Sequence, residues 1–272
     1  MTVNRWLRKN GERPFLMGIL NITPDSFSDG GRYLSKAEAV KRAFGLVDEG
    51  ADILDIGGES TRPGSDPVSS REEMKRIIPV LKEIAPSLGI PISVDTSKPD
   101  VADAALRAGA NILNDVCGLS DPKMARIAID NDVPAIIMHM HGTPKTMAVD
   151  LMEGDAKEQI RTYLRARVDE VLAAGMRKEN IILDPGIGFG KTPRQDMDIL
   201  LDPSYFSDGY PVLIGPSRKR FLSFGFPELG KDEATVAASL MTSKNGADIV
   251  RVHNVAEVNK AFDNILFRSE GR

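Results

Sequence analysis

Ile19-Leu20-Asn21-Ile22-Thr23-Pro24-Asp25-Ser26-Phe27-Ser28-Asp29-Gly30-Gly31 closes an apolar run that begins at Phe15. Phe15 to Leu20 has the unbroken apolar character of a buried strand. The run then gives way to Asn21, Thr23 and Asp25, and Pro24 with the Gly30-Gly31 pair forbids a regular continuation. A buried strand that delivers a polar side chain at its end and opens into a long loop is how a β/α barrel presents its chemistry. The fold therefore turns on whether the other strands end in the same way.

Strands are expected near 15–21, 52–57, 91–96, 112–116, 134–140, 180–184, 211–215 and 248–253, each separated from the next by a helical pattern. Ser35 is placed as the cap of the first helix. Ser70-Arg71-Glu72-Glu73 reads as a capping box for the second, and Ser97 as the cap of the third. Asp155 to Ala174 reads as a long amphipathic helix, and Ala256 to about Phe267 as the last one. Gly50-Ala51-Asp52-Ile53, Gly109-Ala110-Asn111-Ile112 and Gly246-Ala247-Asp248-Ile249 form a weak internal echo, each a helix stop followed by a strand start. Eight strands alternating with helices, and no glycine-rich dinucleotide fingerprint, favour a closed (β/α)8 TIM barrel over an open doubly wound sheet. One such domain is expected over residues 1–272.

The bulk properties suit this class. The chain has 272 residues, 42% hydrophobic and 27% charged, with a formal net charge of −4. That charge gives no electrostatic reason to expect nucleic acid or a membrane surface as partner. The single cysteine, Cys117, excludes a disulfide scaffold and a cysteine-based zinc site, and fits a reducing, cytoplasmic setting. Cys117 itself reads as a small buried hydrophobe, and Trp6 as a packing residue at the closed end of the barrel. No apolar run approaches a membrane span, and no signal peptide is visible in Met1 to Arg13.

The strand ends carry Asn21, Asp55, Asp95, Asn114, His139 or His141, Asp184, Ser217 with Lys219, and Arg251 with His253. All would meet at the C-terminal rim. A lone strand-end Asp or Asn often caps the next turn. Seven of eight strands ending this way exceeds what capping needs, because Ser35, Ser70 and Ser97 stand as separate caps. Asp95, Asn114 and Asp184 suit a flat heterocycle rich in N–H groups. Arg251, His253, Asn21 and the Thr61-Arg62 loop suit a phosphorylated group, with or without a metal. A heterocycle end beside a phosphate end suggests displacement of a phosphate leaving group.

At this point the chain resembles the dihydropteroate synthase family of pterin-binding barrels. The resemblance rests on Met17-Gly18-Ile19-Leu20-Asn21 through Gly31, Gly57-Gly58-Glu59-Ser60-Thr61-Arg62-Pro63-Gly64, Ser93-Val94-Asp95-Thr96 and Asn114-Asp115. It continues through Leu183-Asp184-Pro185-Gly186-Ile187-Gly188-Phe189-Gly190-Lys191, Ser217-Arg218-Lys219 and Arg251-Val252-His253. The resemblance implies joining 6-hydroxymethyl-7,8-dihydropterin pyrophosphate to 4-aminobenzoate, with release of pyrophosphate. It implies that Asp184, Asn114, Asp95 and Lys219 hold the pterin, with Met138 and Phe189 as apolar contacts. It places Asn21 on Mg²⁺ with Asp95 near it, and Asn21, Thr61, Arg62, Arg251 and His253 around the pyrophosphate. Phe27, Pro63, Ser217 and Arg220 are expected to shape the 4-aminobenzoate pocket. Asp95, Lys219, Arg251 and His253 are the expected catalytic residues. A cytoplasmic homodimer acting on small molecules is also implied.

Some positions depart from the family pattern. Gln is usual where His141 stands, Asn where Asp196 stands, and Ser is frequent where Arg220 stands. Three rivals remain open. A methyltransferase on the same barrel would keep the pterin contacts but needs no pyrophosphate ligands. A metal-dependent hydrolase is suggested by His139-Met140-His141, whose alternation puts both imidazoles on one face of a strand. A non-enzymatic pterin-binding paralogue would keep the motifs without turnover.

Overall fold

A computed structural model describes residues 12–23, 35–60 and 64–266. Eight parallel strands form the sheet: β1 (Phe15–Asn21), β2 (Ile53–Gly57), β3 (Ile92–Asp95), β4 (Ile112–Asp115), β5 (Ala135–Met138), β6 (Ile181–Asp184), β7 (Leu213–Ile214) and β8 (Ile249–Val252). Neighbours pair in chain order, β8 closes onto β1, and a Leu183–Val212 bridge joins β6 to β7. The result is the expected (β/α)8 barrel.

The helices are α1 (Lys36–Asp48), α2 (Ser70–Ile84), α3 (Pro99–Arg107), α4 (Pro122–Asp130), α5 (Ala156–Ala173), α6 (Pro193–Leu201), α7 (Leu222–Gly225), α8 (Lys231–Lys244) and α9 (Val255–Ala261). Ser35 does cap α1, in a full capping box with Glu38. Two expected caps are corrected. Ser69, not Ser70, accepts from Glu72 N at the start of α2. Lys98, not Ser97, is the N-cap of α3 and makes no side-chain cap bond, because Pro99 in the first turn sets the helix start. The last helix begins at Val255 and ends in a π turn, Phe262–Leu266. Cys117 is half-buried rather than buried, and Trp6 lies outside the described residues.

Apolar packing has two layers. Helix faces such as Ile77, Val80, Leu81 and Ile84 of α2 pack on the outer side of the sheet. Inside the barrel, Met17, Ile53, Ile112, Ile136, Ile182, Leu213 and Ile249 form a separate buried plug. Each such side chain gains about 1.5–3 kcal/mol from burial.

The internal echo has a physical meaning. Asp52 Oδ2 accepts from Leu16 N at 2.7 Å, Asn111 Oδ1 from Ile92 N at 2.9 Å, and Asp248 Oδ2 from Val212 N at 2.9 Å. In each case the side chain of the third residue of the echo accepts from an amide at the start of the preceding strand. The glycine that opens each echo is left-handed, with φ of +100°, +111° and +103° at Gly50, Gly109 and Gly246.

Candidate active site

Side chains alternate across a strand, so the residue two positions after each plug residue also points inward. Ile53 is followed by Asp55, Ile112 by Asn114, Ile136 by Met138, Ile182 by Asp184 and Ile249 by Arg251. A polar band therefore sits directly on the apolar plug. Register extends the band to the rim: Asn21 pairs with Gly57, Gly57 with Asp95, and Asp95 with Asn114. Gly57 has no side chain to separate Asn21 from Asp95.

Arg251 organises one side of the band. Its Nε donates to Asp55 Oδ2 at 2.7 Å, and an Nη2–Asp95 Oδ2 bond measures 2.7 Å. Asn114 Nδ2 donates to the same Asp55 oxygen at 3.2 Å. Asp55 is 0% exposed and its Oδ1 makes no hydrogen bond among the described residues. Asp55 thus orients both Arg251 and Asn114, a role not assigned from the sequence. Burial raises the pKa of Asp95, and the Arg251 guanidinium opposes that rise.

The loop after β6 builds the other side. Asp184 Oδ1 accepts from Gly186 N at 2.7 Å. Burial pushes the Asp184 carboxyl up to about 6, against the pull of that amide and of Lys191, Lys219 and Arg251. Lys191, 5% exposed, ties the loop to the end of β5. Its Nζ donates to the carbonyls of Gly186 (2.7 Å), Phe189 (3.0 Å) and His139 (3.3 Å), and lies 3.0 Å from His139 Nδ1. Burial and the Lys191 charge hold His139 down at about 3, so its imidazole is neutral and Nδ1 is free to accept. Desolvation lowers Lys191 as well.

A lysine–aromatic contact completes this wall. Lys219 Nζ lies 4.0 Å from the Phe189 ring centroid. Burial, with Arg251 nearby, brings Lys219 down to about 8. Phe189 packs with Val116, Met138 and Met147. Arg218 stands at φ +58°, with its amide bonded to Thr235 Oγ1 and its guanidinium to Asp232. This left-handed turn separates Lys219 from the exposed Arg218 and Arg220.

At the rim, Ser217 Oγ lies 2.9 Å from His253 Nδ1 and accepts from His253 N at 3.2 Å. Arg42 donates to the His253 carbonyl at 3.2 Å, so α1 fixes the end of β8. The stem before the second motif loop is held by Glu59, which accepts from Val68 N at 2.9 Å and pairs with Lys98. Lys98 also pairs with the fully buried Glu73 at 2.7 Å.

The structure brings together Asp95, Asn114, Met138, Asp184, Phe189, Lys219 and Arg251, and pairs Ser217 with His253. Asn21 joins them through the strand register. Phe27, Thr61, Arg62 and Pro63 lie outside the described residues. The fifth strand ends at Met138, so His139 and His141 lie beyond it and do not form a metal pair: His139 is bound to Lys191, and His141 Nε2 faces Asp150 at 3.4 Å. Among the described residues no group of three or more His, Cys, Asp or Glu could hold a metal ion. Alternation below Gly57 and above Ile53 was the available signal for Asp55. Lys191 gave none beyond its motif, because its partner His139 is distant in sequence.

Residues 17–253 match the family described as pterin binding enzyme. The chain is 47% identical over 254 residues to the dihydropteroate synthase of Bacillus subtilis, covering 91% of this chain and 86% of that protein. It is 43% identical over 261 residues to that of Synechocystis, covering 93% and 90%. The solved structure of the Xanthomonas albilineans dihydropteroate synthase with 4-aminobenzoic acid superposes with a TM-score of 0.85 at 39% identity, covering 93% of this chain and 92% of that one. The Burkholderia cenocepacia enzyme complexed with 7,8-dihydropteroate gives 0.82 at 41%, covering 93% and 90%.

Proposed function

This chain belongs to the pterin-binding enzyme family, and we propose that it joins 6-hydroxymethyl-7,8-dihydropterin pyrophosphate to 4-aminobenzoate in folate synthesis. The C–O bond to pyrophosphate breaks, a C–N bond forms to the aniline nitrogen, and that nitrogen loses a proton. The products are 7,8-dihydropteroate and pyrophosphate. The carrying observation is the inward band itself: Asp184, Asn114 and Lys219 offer acceptors and donors beside the apolar faces of Met138 and Phe189, with Arg251 alongside. The relatives that bind 4-aminobenzoic acid and 7,8-dihydropteroate support the same chemistry.

In this reading Asp184 accepts from the 2-amino and N3–H edge of the pterin. Asn114, Asp95 and Lys219 take the remaining ring atoms. Positive charge that develops on the pterin methylene is stabilised by the carboxylates around the ring. Asn21, Thr61, Arg62, Arg251 and His253 receive the pyrophosphate, and Phe27, Pro63, Ser217 and Arg220 flank 4-aminobenzoate. Helix starts and the exposed Arg220 offer donors to its carboxylate. The same reading places a homodimer in the cytoplasm.

Asn21 and Asp95 offer hard oxygen atoms on adjacent faces of the rim, which fits Mg²⁺. Mg²⁺ commonly keeps waters and substrate phosphates as most of its ligands, so it needs few protein oxygens. Bound there, the ion would neutralise charge on the leaving pyrophosphate. Chelating Mg²⁺ is expected to abolish pyrophosphate release, while a dihydropterin lacking the pyrophosphate still binds. Loss of that binding on chelation would place the metal in the pterin pocket instead.

The Asp184→Asn variant tests the pterin assignment. The amide keeps an acceptor for Gly186 N but turns a donor toward a donor on the ring. An unpaired buried group costs on the order of 1–3 kcal/mol, so affinity for the pterin pyrophosphate should fall at least about tenfold. Wild-type affinity should also weaken as pH falls through about 6, where the Asp184 carboxylate takes up its proton. The variant should lose that dependence. Calorimetry showing unchanged affinity would remove Asp184 from the ring. Pyrophosphate release that requires 4-aminobenzoate separates this activity from a methyltransferase or an inactive paralogue.

A further inference from the structure

We propose that Asp196 is a positioning residue that keeps the Lys219 side chain charged and in place against the pterin ring, acting across Gly188. The proposal rests on the reading of Lys219 as a donor to that ring. Asp196 lies in the first turn of α6, whose start is fixed by a Thr192–Gln195 capping box and Pro193. It is 3% exposed, and its Oδ1 accepts from Gly188 N at 2.7 Å. Lys219 presses on Gly188 as well. A Cβ at Gly188 would lie 2.9 Å from Lys219 Cδ and 3.4 Å from Nζ. The carboxylate and the ammonium therefore flank one residue that has no side chain to part them. Asp196 is buried and Lys219 half-buried, so their attraction is less screened than between surface charges.

The charges around Lys219 show why one more carboxylate matters. Arg251 on β8 repels the ammonium. Asp184 on β6, Asp95 on β3 and Asp196 on α6 attract it, and Lys191 on the same loop competes for Asp196. Asp95 is bound to Arg251, and Asp184 serves the ring in the reading above. Asp196 has no such duty. An amide would satisfy Gly188 N equally well, so what the acid adds at this position is its charge. Lys219 titrates at about 8, close enough to neutrality that losing a counter-charge would empty much of the ammonium at physiological pH.

The test is Asp196→Asn, which keeps the bond to Gly188 and removes only the charge. The full chain is labelled with ¹³Cε-lysine, and the Lys219 signal is assigned with Lys219→Arg. The Lys219 pKa is expected to fall by about half a unit or more, roughly a threefold loss of proton affinity. The alkaline limb of kcat/KM for the pterin substrate, which reports the free enzyme, should move to lower pH by the same amount. Asp196→Ala, which also drops the Gly188 bond, should weaken the pterin at every pH. An unmoved Lys219 titration in Asp196→Asn overturns the proposal. So does a moved titration with an unmoved kinetic limb, since the charge would then not serve the ring. Failure of the synthase reading would show instead in the pyrophosphate-release assay, which the lysine titration does not use.

Discussion

Arg251→Met is expected to lower stability at pH 7 by about 3 kcal/mol, near the low end for breaking a buried ion pair. Methionine keeps an unbranched apolar stem and removes the charge that holds Asp55 and Asp95. Asp55 is wholly buried, with one oxygen already lacking a hydrogen bond among the described residues. Without Arg251 two carboxylates share a site, and one must bind a proton. A folded-state pKa raised above its unfolded value is a penalty that grows as pH rises through the folded value and disappears below the unfolded one. The deficit should therefore be largest near pH 8 and shrink toward pH 5. Urea unfolding across that range measures it. Adding Asp55→Asn to the variant should restore part of the loss, since it removes the stranded charge. Turnover should fall more than about a hundredfold, because in the proposed reaction the pyrophosphate also loses its cation. A loss below about 1 kcal/mol that does not vary with pH would contradict the buried pairing.

Gly186→Ala is the second large effect. Gly186 sits at φ +69°, and a Cβ there would overlap the His139 carbonyl oxygen and come within 3.3 Å of Lys191 Nζ. Backbone has to move, so Asp184 loses its amide partner and Lys191 its acceptors. Stability should fall by about 2–4 kcal/mol, the strain of a left-handed alanine plus the displaced contact. Misplacing Asp184 and Phe189 by about an ångström is expected to cost on the order of a hundredfold in pterin affinity. Gly89→Ala is the matched control. Gly89 has φ +78° but nothing within 4 Å of the added atom. It should cost about 1 kcal/mol and leave pterin binding unchanged. Equal losses of binding in the two variants would show that strain alone, not the Lys191 staple, governs the pocket.

Most of the barrel was legible because its strands obey two rules at once: buried on both faces, then abruptly polar. Period-two alternation carries that reading to Asp95, Asn114, Asp184 and Arg251. Helix starts were less legible where candidates crowd together. Ser69 and Ser70 are adjacent, and either can accept an amide; Ser97 has a capping side chain, but Pro99 sets the start two residues later. What the sequence could not show is contact between distant segments. Lys191 meets His139 across 52 positions, and Arg251 meets Asp55 across 196. Neither pair has a local pattern, so their partners emerge only when the barrel closes. Asp196 departs from the family pattern, and its bond to Gly188, which an amide would make as well, does not by itself account for the acid.

The apolar plug has a bearing on traffic through the enzyme. Met17, Ile53, Ile112, Ile136, Ile182, Leu213 and Ile249 fill the barrel below the polar band, so among the described residues the band is closed off from that side and is approached from the C-terminal rim. Whatever rests deepest must arrive first and leave last, and anything bound nearer the opening waits for it or blocks it. A compound that fills only the outer part of such a cul-de-sac would trap the inner ligand rather than displace it. Its apparent potency would then rise with the amount of inner ligand present.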